Sequence, residues 1–128
     1  MRNAELFLRV SERLLEEGYR VRFRAGGTSM QPAINDGDAL TVEPVEPLAV
    51  RPGDILLYRT HRRGIAHRVV NIRQAGSAVV AFLLRGDAKA ACDRPVEPGE
   101  VVGKVIAIER RPGWRARLAR AVARIRSF

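Results

Sequence analysis

The sequence predicts a mainly β fold, an antiparallel β domain over residues 21–110 with an amphipathic helix before it and a basic amphipathic helix after it. Three observations carry that expectation. Short runs rich in Val, Ile and Leu recur from residue 21 onward. Turn-forming clusters separate them (Asp-Gly-Asp, Pro-Gly-Asp, Arg-Gly, Ala-Gly-Ser and Pro-Gly-Glu), which is the punctuation antiparallel strands require. At both ends the apolar spacing changes from the strand period to the helical one. A chain of 128 residues suits one domain, 1–128, with a single modest core.

The first helix is expected over residues 3–17. Leu6, Phe7, Val10, Leu14 and Leu15 recur there at helical spacing, and Gly18 is the stop signal. The runs "VRFRA", "ALTVEPV", "DILLYRT", "IAHRVVNIR", "AVVAFLLRG" and "VVGKVIAIER" then supply about six strands. Pro44, Pro47 and Pro52 argue against a regular central strand between Glu43 and Arg51, since proline cannot donate to a ladder. After Arg-Pro-Gly at 111–113, Trp114, Leu118, Val122, Ile125 and Phe128 fall near one face of a helix expected over 114–126, with arginines around the rest.

Composition narrows the class. A hydrophobic content of 46% fits a globular protein and excludes a low-complexity or disordered acidic chain. The single cysteine, Cys92, cannot form an internal disulfide, and without a metal-ligand pattern around it reads as a small apolar residue. No stretch approaches the roughly 18–20 apolar residues a membrane span needs. The charges Glu5, Arg9, Glu12, Arg13, Glu16 and Glu17 disqualify the N-terminal segment as a signal or transit peptide, so the expected location is cytoplasmic. The net charge of +9 is concentrated in the tail "RRPGWRARLARAVARIRSF". That tail suits an anionic membrane surface or an acidic partner. No helix-turn-helix, zinc-finger or aromatic RNA-binding signature accompanies it, which argues against specific nucleic-acid binding.

The stretch "GGTSMQPAINDGD", residues 26–38, fits neither a helical nor a strand pattern. A serine hydroxyl near neutral pH needs an adjacent base to act as a nucleophile. The chain has two histidines. His61, in "THRRG", reads as an exposed hairpin-turn residue. His67, in "GIAHRVV", lies in a strand, where a histidine is either structurally satisfied or a base whose second nitrogen wants an acceptor. Carboxylates able to serve are Asp87 and Asp93, in "RGDAKAACDRP".

Taken in order, "GGTSMQPAINDGD", "RPGDILLY", "IAHRVV", "RGDAKAACD" and "VVGKVIAI" resemble the motif boxes of the type I signal peptidase family, over roughly residues 25 to 108. The Ser-Met-x-Pro box implies Ser29 as nucleophile. His67-Arg68-Val69 resembles the histidine-base branch found in archaea and the endoplasmic reticulum, rather than the lysine branch common in bacteria. That branch also has a Gly-Asp followed six residues later by a second Asp, a spacing that Asp87 and Asp93 match, with Asp93 favoured as the partner of His67. On this reading Gly26 and Gly27 let a bound peptide approach the backbone, Met30 pins the turn into the core, and Pro32 stiffens its exit.

The chain departs from the family at two points. Where many signal peptidases carry an oxyanion-holding serine two positions before the nucleophile, this chain has Gly27. In that detail it resembles the cleavage domain of LexA-type repressors. The substrate and oxyanion side would then rest on Gly27, Thr28 and Met30, with the backbone N–H of Ser29 the natural donor. The second departure is the expected lack of a membrane anchor, its place taken by the two amphipathic helices. The resemblance implies a serine endopeptidase with a Ser29–His67 dyad supported by Asp93 or Asp87. It would cut a protein or peptide substrate, bound as an extended strand, after small residues. No cofactor or metal is implied. A dedicated soluble precursor is the expected substrate, and a catalytically weak peptide-binding module on the same fold is the alternative.

Overall fold

A computed structural model describes residues 3–61 and 63–110; the basic helix expected over 114–126 lies outside the described residues. The chain begins with α1 (Asn3–Glu16) and continues through β1 (Val21–Arg24), β2 (Ala39–Glu43), β3 (Ile55–Thr60), β4 (Arg63–Ala75), β5 (Ala78–Arg85) and β6 (Val101–Glu109). The strands form one six-stranded sheet in the order β1-β2-β6-β3-β4-β5. Every pairing in it is antiparallel. The molecule is therefore mainly β, as the turn-punctuated Val/Ile/Leu runs predict. Between β2 and β3 the proline-rich stretch forms only a short 3-10 turn at Pro47–Ala49.

Gly18 ends α1 as expected, with φ at 93°. The Gly18 N–H donates to the Leu15 carbonyl and the Tyr19 N–H to the Leu14 carbonyl. This paired closure satisfies carbonyls the helix end would otherwise leave open, and it uses a backbone conformation glycine adopts without strain. The docked face of the helix differs from the expected stripe. Leu8, Ser11 and Leu15 are buried, whereas Leu6, Phe7, Val10 and Leu14 remain substantially exposed. The helix lies on the sheet along one narrow edge. Phe7 nevertheless meets the edge of Phe23, ring centroids 5.5 Å apart, and Glu12 accepts a 2.6 Å bond from Arg59 of β3.

Strand β3 is buried on both faces, which explains its unbroken apolar run. Ile55 and Leu57 join the cluster under α1, with Leu8, Leu15, Val42 and Val105. Leu56 and Tyr58 point the other way, into a second cluster with Val50, Val69, Phe82, Leu84 and Val96. The strand period of two thus divides a single run between two cores. Cys92 lies in neither; it is a free, exposed thiol. Among the described residues no helix is long and apolar enough to cross a membrane.

The sheet is tightest where β6 passes β2. A Cβ built at Gly103 lies 2.6 Å from the Glu43 carbonyl oxygen and 2.6 Å from Val42 Cγ1. Neither is the free end of a flexible chain, so the backbone itself must move. We predict that Gly103→Ala lowers unfolding free energy in urea by about 1–3 kcal/mol. Gly99→Ala, where nothing lies within 4 Å of the added carbon, should stay within about 0.5 kcal/mol of wild type.

Candidate active site

The segment between β1 and β2 is held by its own polar groups. Gly27, at φ 88°, donates its N–H to Asp36 Oδ1 at 3.0 Å. The Gln31 N–H reaches the Thr28 carbonyl and the Ile34 N–H the Met30 carbonyl, and the Gln31–Pro32 peptide is cis. Met30 and Ile34 are buried in the cluster beneath α1. At the exit Asp38, 1% exposed, accepts the Asn35 N–H at 2.8 Å and the Arg110 guanidinium at 3.2 Å. Sequence reading took Asp36-Gly37-Asp38 as a turn signal and missed this role. A buried carboxylate needs partners, and Arg110 lies far along the chain.

Ser29 heads this loop, half-buried. His67 stands on β4 opposite Leu56 of β3 and is 4% exposed. Its Nε2 lies 3.0 Å from Ser29 Oγ, and its Nδ1 lies 2.5 Å from Asp93 Oδ2. Asp93 is held beside the outer edge of β5. Its N–H donates to the Leu84 carbonyl, and Val96 and Phe82 exchange backbone bonds just beyond.

The two candidate aspartates separate here. The structure brings Asp93 to the imidazole, while both oxygens of Asp87 take 2.8 Å bonds from Arg68, one from Nε and one from Nη2. That fork holds the Asp87 carboxyl below the usual carboxylate range, the bond from Arg68 contributing most. The pair also fastens the turn after β5, whose Asp87 N–H contacts Met30 Sδ at 3.2 Å and whose Ala88 N–H donates to the Ser29 carbonyl at 2.9 Å. The arrangement unites Ser29, His67 and Asp93 and leaves Asp87 one step outside.

A cleft of about 760 Å³ opens at Ser29 and His67. Phe7, Phe23, Met30, Leu57 and Ala66 make its apolar walls, and Arg24, Arg63 and Lys89 bring positive charge to it. The Gly27 amide is committed to Asp36, whereas among the described residues the Ser29 and Thr28 amides donate to no protein acceptor. Thr28 is exposed and Met30 buried. No group of three or more His, Cys, Asp or Glu side chains able to hold a metal ion occurs among the described residues. Tyr58 is a polar contact that sequence reading did not find. Its hydroxyl donates to Asp93 Oδ2 at 2.8 Å. The available signal was a tyrosine in a strand with no exposed face, since a buried phenol needs an acceptor.

Arranged this way, a serine, an imidazole and a carboxylate in series allow proton transfer from the hydroxyl to a base of fixed orientation. The chain is similar to the signal peptidase complex catalytic subunit SEC11C of Homo sapiens, Mus musculus and Canis lupus familiaris, each 31% identical over 68 residues. The aligned stretch is 52% of this chain and 35% of each relative, so the chain spans about a third of the curated relatives it matches. No family model matches it. The similarity over that stretch supports a signal-peptidase-like family.

The Asp87–Arg68 fork has a measurable signature. Because pairing depresses the Asp87 carboxyl, its contribution to stability is complete above the ordinary carboxylate range and is lost as pH falls through its lowered value. Asp87→Asn should lower the melting temperature near neutral pH. Its deficit against wild type should shrink on acidification, as followed by thermal melts across pH 7 to 2. A deficit independent of pH would mean that the fork contributes packing rather than charge.

Proposed function

We propose that the protein is a serine endopeptidase of signal-peptidase type in which Ser29 is the nucleophile, His67 the general base and Asp93 the residue that orients the base. One observation carries this reading: the unbroken series from Ser29 Oγ to His67 Nε2 at 3.0 Å and from His67 Nδ1 to Asp93 Oδ2 at 2.5 Å. Ser29 Oγ attacks the scissile carbonyl carbon while Nε2 takes the hydroxyl proton, and the carbonyl electron pair moves onto oxygen. The imidazolium then gives that proton to the departing amine as the C–N bond breaks. A water molecule repeats the sequence on the acyl-serine, releasing the new carboxyl end and restoring the hydroxyl.

The Ser29 amide, aided by Thr28, is the proposed oxyanion donor. With glycine at position 27 and its amide held by Asp36, that hole is built from backbone, which favours a slower enzyme. The alternative of a non-catalytic peptide-binding module draws on the same feature.

Substrate geometry follows from the sheet. β5 begins to pair with β4 only at Arg68, so residues 63–66 of β4 pair on one side, with β3. β1 pairs with β2 alone among the described strands. Both half-paired edges line the cleft, and an extended peptide between them gains main-chain hydrogen bonds from either side. The proposed substrate is a dedicated protein or peptide precursor with small residues before the cut.

The test is cleavage of a candidate precursor by wild type and variants over pH. Ser29→Ala and His67→Ala should each lose roughly 10³-fold or more in kcat, with thermal melts and substrate binding largely unchanged. Wild-type activity should rise through the range in which an imidazole loses its proton and then level off, because the neutral ring is the base. His67→Lys should not recover activity, since an ammonium must be strongly desolvated to become neutral near pH 7. Wild-type turnover by His67→Ala would remove His67 as the base, whereas binding of the precursor by wild type without turnover would leave the peptide-binding module as the reading.

A further inference from the structure

We infer that Tyr58 is a positioning residue for the His67–Asp93 pair, acting through its hydroxyl on the carboxylate oxygen that also receives the imidazole. The inference rests on the peptidase reading for its meaning and on three geometric facts for its content. The Tyr58 hydroxyl donates to Asp93 Oδ2 at 2.8 Å, the same oxygen that lies 2.5 Å from His67 Nδ1. The Tyr58 ring also meets the imidazole edge-on, centroids 6.4 Å apart at 68°. Tyr58 itself is 3% exposed, within the cluster formed by Leu56, Val69 and Phe82. A single side chain therefore fixes both members of the pair, one by a hydrogen bond and one by packing.

The chemistry of the donors gives this contact a consequence. An ionised carboxylate only accepts. Asp93 is therefore an acceptor toward the ring, so the neutral imidazole carries its proton on Nδ1 and presents the bare Nε2 to Ser29, while the phenol on Oδ2 holds that oxygen in place. The phenol holds its proton throughout, since burial and the Asp93 carboxylate both push its ionisation well upward. Its bond also disperses the carboxylate charge, which is greatest in effect when the ring is neutral and the pair carries a net negative charge.

Other charges near the pair are already partnered or lie at the cleft. Arg94 is forked onto Glu100 at 3.1 and 2.6 Å on the Tyr58 side. Asp87 is forked onto Arg68, and Lys89 lines the cleft beside His67. None of them replaces a donor removed from Tyr58.

The test is Tyr58→Phe, which keeps the ring and removes only the hydroxyl. Imidazole nitrogen and proton spectra recorded across pH report the tautomer and titration of His67 without any substrate; His67→Gln identifies its signals beside those of His61. Removing the donor destabilises the negatively charged pair more than the neutral ion pair. The His67 midpoint should therefore move to higher pH by about half a unit or more, with a stronger preference of the neutral ring for the proton on Nδ1, because an undispersed carboxylate is the better acceptor. In the cleavage assay the acidic limb should move the same way, and kcat should fall about tenfold with KM within about twofold. Tyr58→Leu, which also removes the ring, should lower the melting temperature further than Tyr58→Phe.

His67 spectra and midpoint identical in wild type and Tyr58→Phe would overturn the inference, whatever the cleavage assay shows. A shifted midpoint in a protein that cleaves nothing would retain Tyr58 as the positioning residue of the pair and would discard the peptidase reading instead.

Discussion

The close approach of Gly86 to the serine loop is the contact on which the rest of the site depends. A Cβ at this position would lie 2.6 Å from the Ser29 carbonyl oxygen and 3.0 Å from His67 Nε2. Only a residue without a side chain lets the turn after β5 lie against both. The next residues use that proximity: the Ala88 N–H reaches the Ser29 carbonyl and the Asp87 N–H reaches Met30 Sδ. The first is a backbone–backbone bond of ordinary length and direction and the second a backbone N–H on a thioether sulfur, so together they hold the serine loop to the turn after β5. The hydroxyl thus meets the ring because the main chains beneath them are already joined.

Three aspartates then divide the electrostatic work. Asp93 faces the imidazole, Asp87 the Arg68 guanidinium, and Asp38 the end of the serine loop and Arg110. Each carboxylate is at least partly buried, and each has charged or polar partners, as the cost of burying an unpaired charge demands. The division matters because a carboxylate satisfied by an arginine is a poor partner for an imidazole. Arg68, adjacent to His67 in sequence, draws Asp87 away and leaves the ring to Asp93.

The two-sided burial of β3 couples this chemistry to the fold. Leu57 belongs to the cluster that carries α1 and walls the cleft. Its neighbours Leu56 and Tyr58 belong to the opposite cluster, behind Asp93. A single strand is therefore shared between the wall of the cleft and the support of the carboxylate that meets His67. Packing at this density transmits small displacements.

The sequence by itself determined the mainly β class, its strand runs, the helix stop at Gly18 and the short list of groups from which a site could be made. These are local matters: period two against period 3.6, turn residues between runs, and few hydroxyl and imidazole candidates to pair. Which face of α1 docks was not legible, because Leu6, Phe7, Val10 and Leu14 are as apolar as the Leu8 and Leu15 that are buried. The choice between Asp87 and Asp93 was likewise closed to spacing alone. It depends on where Arg68 points and on which edge of β5 the returning chain takes, and neither is encoded within a few residues of either aspartate. Tyr58 and Asp38 escaped for the same reason. Their partners, Asp93 and Arg110, are brought to them only when the sheet closes, and the energy that selects those contacts is the burial of charges and hydroxyls that the unfolded chain leaves in water.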